Sequence, residues 1–87
     1  MPELHANIDL DDSAVRLETV RSIWRDVLGV SEIEDDVTFL DAGGNSLLLV
    51  ALVEKLSDAC GRTLKTMDVF RAQTVKGHAA LLAPPSR

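Results

Sequence analysis

Leu17, Val20, Trp24, Val27 and Leu28 recur at spacings of three, four, three and one. That rhythm is one apolar stripe on a helix of about 3.6 residues per turn. Arg16, Glu18, Arg21, Arg25 and Asp26 mostly take the other face, and Ile23 flanks the stripe. Asp12 or Ser13 supplies a cap for the first free amides, and Gly29 supplies the stop. A first helix is predicted over Ser13–Leu28. The run Leu47–Val53 alone fits either a buried strand or a helix. Asn45 or Ser46 as cap, and a pattern that continues through Leu56 to Gly61, select a helix over Leu47–Ala59, with Leu49, Leu52, Val53, Leu56 and Cys60 on one face. Thr66 is placed to cap a short third helix, Met67–Arg71, and Thr74 to cap a fourth, Val75–Leu82, in which Val75, Ala79 and Leu82 share a side. The expected fold is all-α: a small four-helix bundle with three sizeable helices, a short third one, and a long loop between the first and second.

That loop, Val30 to Asn45, has no steady period, yet Val30, Ile33, Val37, Phe39 and Leu40 are apolar. A long connection with its own anchors tends to be functional. It ends in Asp41-Ala42-Gly43-Gly44-Asn45-Ser46, a turn by composition. Met1–Asp11 shows no sustained period and is expected to be a mobile leader. Residues 12–83 are expected to form the domain, and 84–87, with Pro84-Pro85, a tail.

Length and composition narrow the function classes. The 87 residues make one small domain, without room for a second that would form a cleft. Hydrophobic residues are 46% and charged residues 26%, a globular balance. The aromatics are Trp24, Phe39 and Phe70. With so few stacking platforms and a net charge of −5, nucleic acid is not an expected partner. No apolar run approaches the roughly 18 residues of a membrane span. Cys60 stands alone, so no intrachain disulfide forms and a reducing, cytoplasmic setting is expected. Cys60, His5 and His78 have no zinc-site spacing. Cys60 reads as a small buried hydrophobe at a helix end, and Trp24 and Phe70 as core anchors.

The charge is uneven. Residues 1–45 carry 11 acids and 3 bases, and residues 46–87 carry 3 acids and 6 bases. Glu32, Glu34, Asp35, Asp36 and Asp41 form an acidic segment with no base among them, which is either a solvated loop or a surface that steers a basic partner.

The candidate chemistry lies in Gly43-Gly44-Asn45-Ser46-Leu47. Two glycines bend the backbone sharply and place Ser46 at the start of the second helix. Free amides and the helix dipole there favour a phosphate on the hydroxyl, although a serine at a helix start is most often only a cap. No histidine lies near Ser46 in sequence, and the partners of a serine hydrolase are not evident.

The stretch Asp41-Ala42-Gly43-Gly44-Asn45-Ser46-Leu47, leading into an apolar helix, resembles the phosphopantetheine attachment site of carrier proteins. Ile23–Val30 is similar to the end of the first helix of peptidyl carrier domains, Asp36–Leu47 to their central block, and Asp68-Val69-Phe70 with Thr74-Val75 and Ala79 to their third and fourth helices. The resemblance covers about 65 residues, with three blocks in the right order. It implies that Ser46 is the serine to which a phosphopantetheinyl transferase links 4′-phosphopantetheine from coenzyme A. Cargo would ride as a thioester on the thiol of that arm. Asn45 stands where carriers of fatty-acid synthesis have aspartate, and the second helix begins without acids. That departure points to a peptidyl or aryl carrier of nonribosomal or hybrid biosynthesis, and away from a fatty-acid-type holo synthase. Gln73 stands where many peptidyl carriers have proline.

The resemblance therefore implies a freestanding, monomeric carrier rather than an enzyme. It would be loaded by an adenylation enzyme and would present cargo to separate condensing or tailoring enzymes. The core side of the second helix leaves Leu47, Leu48, Val50 and Ala51 pointing wholly or partly elsewhere. With Met67 they are the expected partner-contact residues, Leu48 and Val50 being individually as compatible with burial. Two alternatives stand beside this reading: an acyl carrier of polyketide or fatty-acid type or a D-alanyl carrier, and a non-carrier helical interaction module in which Ser46 is only a cap.

Overall fold

A computed structural model describes residues 10–84. The expectations for residues 1–9 of the leader and 85–87 of the tail lie outside the described residues. Four helices run in the order α1 (Ser13–Leu28), α2 (Ser46–Cys60), α3 (Thr66–Ala72) and α4 (Val75–Leu81). The four-helix bundle is as the pattern predicted, but α4 is shorter. It ends at Leu81 and spans seven residues, as α3 does, so the bundle has two long and two short helices.

The helix ends follow local chemistry. The Asp12 carboxylate accepts from the Ala14 amide at 2.9 Å and caps α1, and Gly29 closes it in the left-handed conformation (φ 71°). Arg16 donates to the Leu10 carbonyl at 2.6 Å, which ties the turn before α1 to the helix. The Thr74 hydroxyl accepts from the Gly77 amide at 3.0 Å and caps α4. Thr66 does not cap α3. It is the first helical residue, and the N-cap is Lys65, without a side-chain bond.

The core is centred on Trp24, which is fully buried. Its ring meets Phe39 edge-on, with centroids 5.2 Å apart. Its indole N–H donates to His78 Nδ1 at 3.0 Å, and His78 Nε2 lies 2.8 Å from the Val69 carbonyl oxygen. Val20, Leu52, Leu56, Val69, Val75 and Leu82 complete the sealed cluster, with Leu49 and Cys60 half-buried at its edge. Phe70 is not a core anchor: it is 42% exposed, and Val69, one position earlier, takes the inward place on α3. On a helix of two turns, a rotation of one residue changes the buried face by about 100°.

The long loop is tied down at several points. Arg21 on α1 grips Asp35 with two bonds, Nε to Oδ1 at 2.8 Å and Nη2 to Oδ2 at 2.6 Å. The guanidinium holds the Asp35 carboxyl below its ordinary range. Lys76 pairs with Asp36 at 3.1 Å, Thr38 forms an antiparallel bridge with Thr74, and the Phe39 amide donates to the Gln73 carbonyl at 2.7 Å. Part of the acidic segment is therefore fastening, with Glu32, Glu34 and Asp41 left at the surface.

Two expected outcomes follow from this packing. Trp24→Ala should lower unfolding free energy by about 3–5 kcal/mol in denaturant melts, since it opens a cavity and orphans the His78 ring. Gly44→Ala should also destabilise, because a Cβ there would collide with the Phe39 ring and carbonyl oxygen. A melting curve like that of the parent would show that the turn yields.

Candidate functional site

The turn into α2 is built on Phe39. The Gly44 amide donates to the Phe39 carbonyl at 2.9 Å, and the lack of a side chain lets Gly44 lie against the ring. Gly43 has φ of 112°, a conformation favourable only to glycine. These two residues carry the chain from the buried Phe39 to the surface in five steps. Asn45 follows in extended conformation, and its side-chain oxygen accepts from the Leu48 amide at 2.9 Å. Asn45 is therefore the cap, and Ser46 is the first residue of α2, one position earlier than predicted for the helix start.

This assignment decides what Ser46 is free to do. The residue is exposed, and among the described residues its hydroxyl has no hydrogen-bond partner. The capping role that a serine commonly takes at this point is filled by its neighbour. The Leu48 and Leu49 amides are engaged by Asn45 through its side chain and its carbonyl. The two earlier amides of the helix lack intrahelical acceptors and lie beside the hydroxyl. A phosphodiester on Ser46 Oγ fits that setting: open solvent above it, the positive end of a 15-residue helix below it, and no carboxylate in the first turn to repel it.

Among the described residues no side chain is hydrogen-bonded to Ser46 as a catalytic partner would be. His78 is sealed in the core with both ring nitrogens engaged, and burial pushes its pKa below the ordinary histidine value. Among the described residues no cluster of metal-ligating side chains occurs, and no helix is long and apolar enough to cross a membrane.

Exposed apolar side chains follow the serine along α2 and stand on the neighbouring helix. Leu47 is 79% exposed and Val50 52%, one turn apart on α2. Met67 (54%) and Phe70 stand on α3, which packs beside α2, and Leu40 is exposed in the loop. Leu48 turns inward against the core, and Ala51 is half-buried. Phe70 and Leu40 belong to this face, although the sequence reading placed neither there. The available signal was the two-residue neighbourhood of Phe70, where Val69 and Phe70 compete for one inward position. A narrow crease of about 50 Å³ runs between Leu40, Leu49, Val69 and Phe70. It is far smaller than a ligand pocket of about 300–1,000 Å³.

Comparison with known proteins agrees with this geometry. The family model described as "Phosphopantetheine attachment site" matches residues 18–82. Nonribosomal peptide synthetase asaC of Aspergillus flavus is 28% identical over 74 residues, covering 85% of this chain and 7% of that protein. Cytosolic 10-formyltetrahydrofolate dehydrogenase of Homo sapiens is 39% identical over 70 residues, covering 78% of this chain and 8% of the other. The chain thus spans less than a tenth of the length of these two relatives. Among solved structures, an A-PCP of McyG complexed with phenylalanyl-adenylate superposes with a TM-score of 0.76 at 25% identity, covering 88% of this chain and 12% of that one. With a helical carrier fold, an idle serine at the head of α2 and a family match across all four helices, the chain belongs to the phosphopantetheine attachment site family: it is a carrier, not itself catalytic, whose cofactor is covalently attached 4′-phosphopantetheine.

Proposed function

We propose that Ser46 is the attachment residue and that the chain carries aminoacyl, aryl or acyl groups as thioesters for nonribosomal peptide or hybrid biosynthesis. The observation that carries the assignment is the exposed, unengaged Ser46 hydroxyl, released from capping by Asn45. When attached, the arm supplies a terminal thiol for cargo. The chain itself supplies position: Gly43, Gly44 and Asn45 hold the serine at the surface, on a helix rooted by Leu52, Val53 and Leu56. Tethering raises the local concentration of cargo to roughly millimolar at any partner site within reach. The crease beside Leu49 is too small to enclose cargo.

In this reading the partners are a phosphopantetheinyl transferase, an adenylation or other loading enzyme, and condensing or tailoring enzymes. They dock on the face formed by Leu47, Val50, Met67, Phe70 and Leu40, with Leu48 and Ala51 supporting it from the half-buried side. Support comes from the exposure of Leu47 and Val50 on the helix that Ser46 opens, and of Met67 and Phe70 on the helix packed beside it, since exposed apolar patches mark interaction sites. Likeness to a carrier joined to an adenylation domain in McyG and to a nonribosomal synthetase supports the peptidyl subclass. The absence of acids between Ser46 and Val53 supports it over a fatty-acid-type carrier. We further infer a cytoplasmic monomer, built of residues 12–83 and acting freestanding. Intact mass and sedimentation of the protein from its host check those points.

Mass spectrometry after incubation with coenzyme A and a broad-specificity transferase tests the assignment. The parent should gain one phosphopantetheinyl group and Ser46→Ala none. A gain by the alanine variant would move the site elsewhere. Ser46→Ala should leave the melting curve within about 0.5 kcal/mol of the parent, since an exposed side chain with no partner is removed. Asn45→Ala should cost about 1 kcal/mol through the lost cap. The opposite ranking would return the capping role to Ser46. Adenylation assays with amino-acid, aryl-acid and D-alanine loading enzymes separate the subclasses.

A further inference from the structure

The turn that presents Ser46 is bonded back onto a short piece of the loop. Its four amides from Asp41 to Gly44 all donate backward. Asp41 donates to the Thr38 hydroxyl at 3.1 Å, Ala42 to the Thr38 carbonyl at 2.9 Å, Gly43 to the Leu40 carbonyl at 3.1 Å and Gly44 to the Phe39 carbonyl at 2.9 Å. Every acceptor lies in residues 38–40, and none of these amides donates to a helix. What holds residues 38–40 therefore holds the turn. Of the three, Phe39 is buried and Leu40 is exposed.

Phe39 ties this piece of chain in three directions. Its ring meets Trp24 of α1 edge-on and forms a wall for Gly44, where a Cβ would overlap two ring carbons. Its carbonyl takes the Gly44 amide. Its own amide donates to the Gln73 carbonyl at 2.7 Å, at the joint between α3 and α4, and Thr38 adds an antiparallel bridge to Thr74 beside that bond. Gln73 keeps φ of 66°, a conformation that a residue with a side chain adopts rarely and that persists where the surroundings fix it. Phe39 and Gln73 both line the crease of about 50 Å³ between the loop and α3. Side chains leave a gap there, and the Phe39–Gln73 bond links one wall to the other. Arg21 and Lys76 fasten Asp35 and Asp36, which lie upstream of this junction.

We propose that Phe39 is the positioning residue of the attachment site: it fixes the turn before Ser46 to the α3–α4 joint and so sets the spacing between the serine and the docking side chains Met67 and Phe70 of α3. A partner seated on Met67 and Phe70 then meets the hydroxyl at a set distance. Group transfer is sensitive to such placement, and a shift of about 1 Å costs on the order of a hundredfold. This role rests on Ser46 being the attachment residue, whereas the fastening of the turn is a property of the unmodified chain.

Phosphopantetheinyl transfer from coenzyme A to the full-length protein by a broad-specificity transferase is the test, with kcat and KM for the carrier read separately. Phe39→Leu leaves the backbone bonding groups in place and removes the ring that orients them. It should lower kcat about tenfold or more and keep KM within about twofold, since Leu47, Val50, Met67 and Phe70 are untouched. Leu82→Ala is the control. It removes more buried volume, at the end of α4 where Arg62 bonds the Leu81 and Ala83 carbonyls, and should leave both constants as in the parent. A kcat like that of the parent, a change in KM alone, or an equal loss of kcat in Leu82→Ala would overturn the role. If Phe39→Leu does not fold, Gly44→Ala, which displaces the ring from the other side, takes its place with the same expectation. If the parent accepts no phosphopantetheinyl group, the attachment reading fails and amide hydrogen exchange decides the fastening. Ala42, Gly43 and Gly44 should then open about tenfold more often in Phe39→Leu than in the parent, with the middle of α1 and α2 unchanged. Unchanged exchange at those three amides refutes it.

Discussion

The position of the Ser46 hydroxyl depends on a stack of contacts that begins at Trp24. The buried indole holds Phe39 edge-on, and Phe39 gives Gly44 a surface to lie against and a carbonyl to bond. Gly44 sets the approach of Asn45, and Asn45 caps the helix whose first residue is Ser46. Each step is a close packing or a backbone bond, so little freedom accumulates between the core and the surface. A loop of sixteen residues would otherwise be a soft support. Here Arg21, Lys76 and Gln73 pin it from the two helices and the joint beside it.

Rigidity below the serine and idleness of the serine itself are complementary demands. A hydroxyl used as a cap would be ordered but engaged, and its modification would cost the helix an interaction. Division of the task between Asn45 and Ser46 separates the two roles, with the amide side chain making the bond and the hydroxyl making none. The same logic explains why α2 tolerates so apolar a start. Its stability comes from Leu52, Val53 and Leu56 beneath, which leaves Leu47 and Val50 available to the outside.

How much of this the sequence discloses varies with the kind of interaction. Helices α1 and α2 were legible because their apolar periods run over four turns, long enough for one rotation to fit better than any other. The serine was legible through the glycines and the apolar run that bracket it. Phe70 was misread because α3 is two turns long, and a single β-branched neighbour decides which residue faces inward. The capping assignment between Asn45 and Ser46 stayed open for a related reason, since both residue types cap and the backbone angles choose between them. His78 gave no sequence signal at all. Its role depends on meeting Trp24, which lies 54 residues earlier, and on the carbonyl of a residue on a third helix.

The apolar face beside the serine and the polar junction beneath α3 are two sides of one compromise. Exposing Leu47, Val50, Met67 and Phe70 gives up burial worth about 25 cal/mol per Å² in the isolated chain, and the surface repays this only when another molecule covers it. A helix that lends half its apolar side chains to solvent has few left for its own anchorage, and α3 keeps Val69 alone. Burying a histidine costs free energy unless both nitrogens are paired, and pairing both to Trp24 and Val69 makes that cost acceptable while adding a directional tie that an aliphatic residue could not supply. Replacing His78 by leucine would restore apolar contact but leave the Trp24 N–H unpaired in the core and α3 held by one valine. The polar junction is therefore what allows so short a helix to face outward and still hold its place.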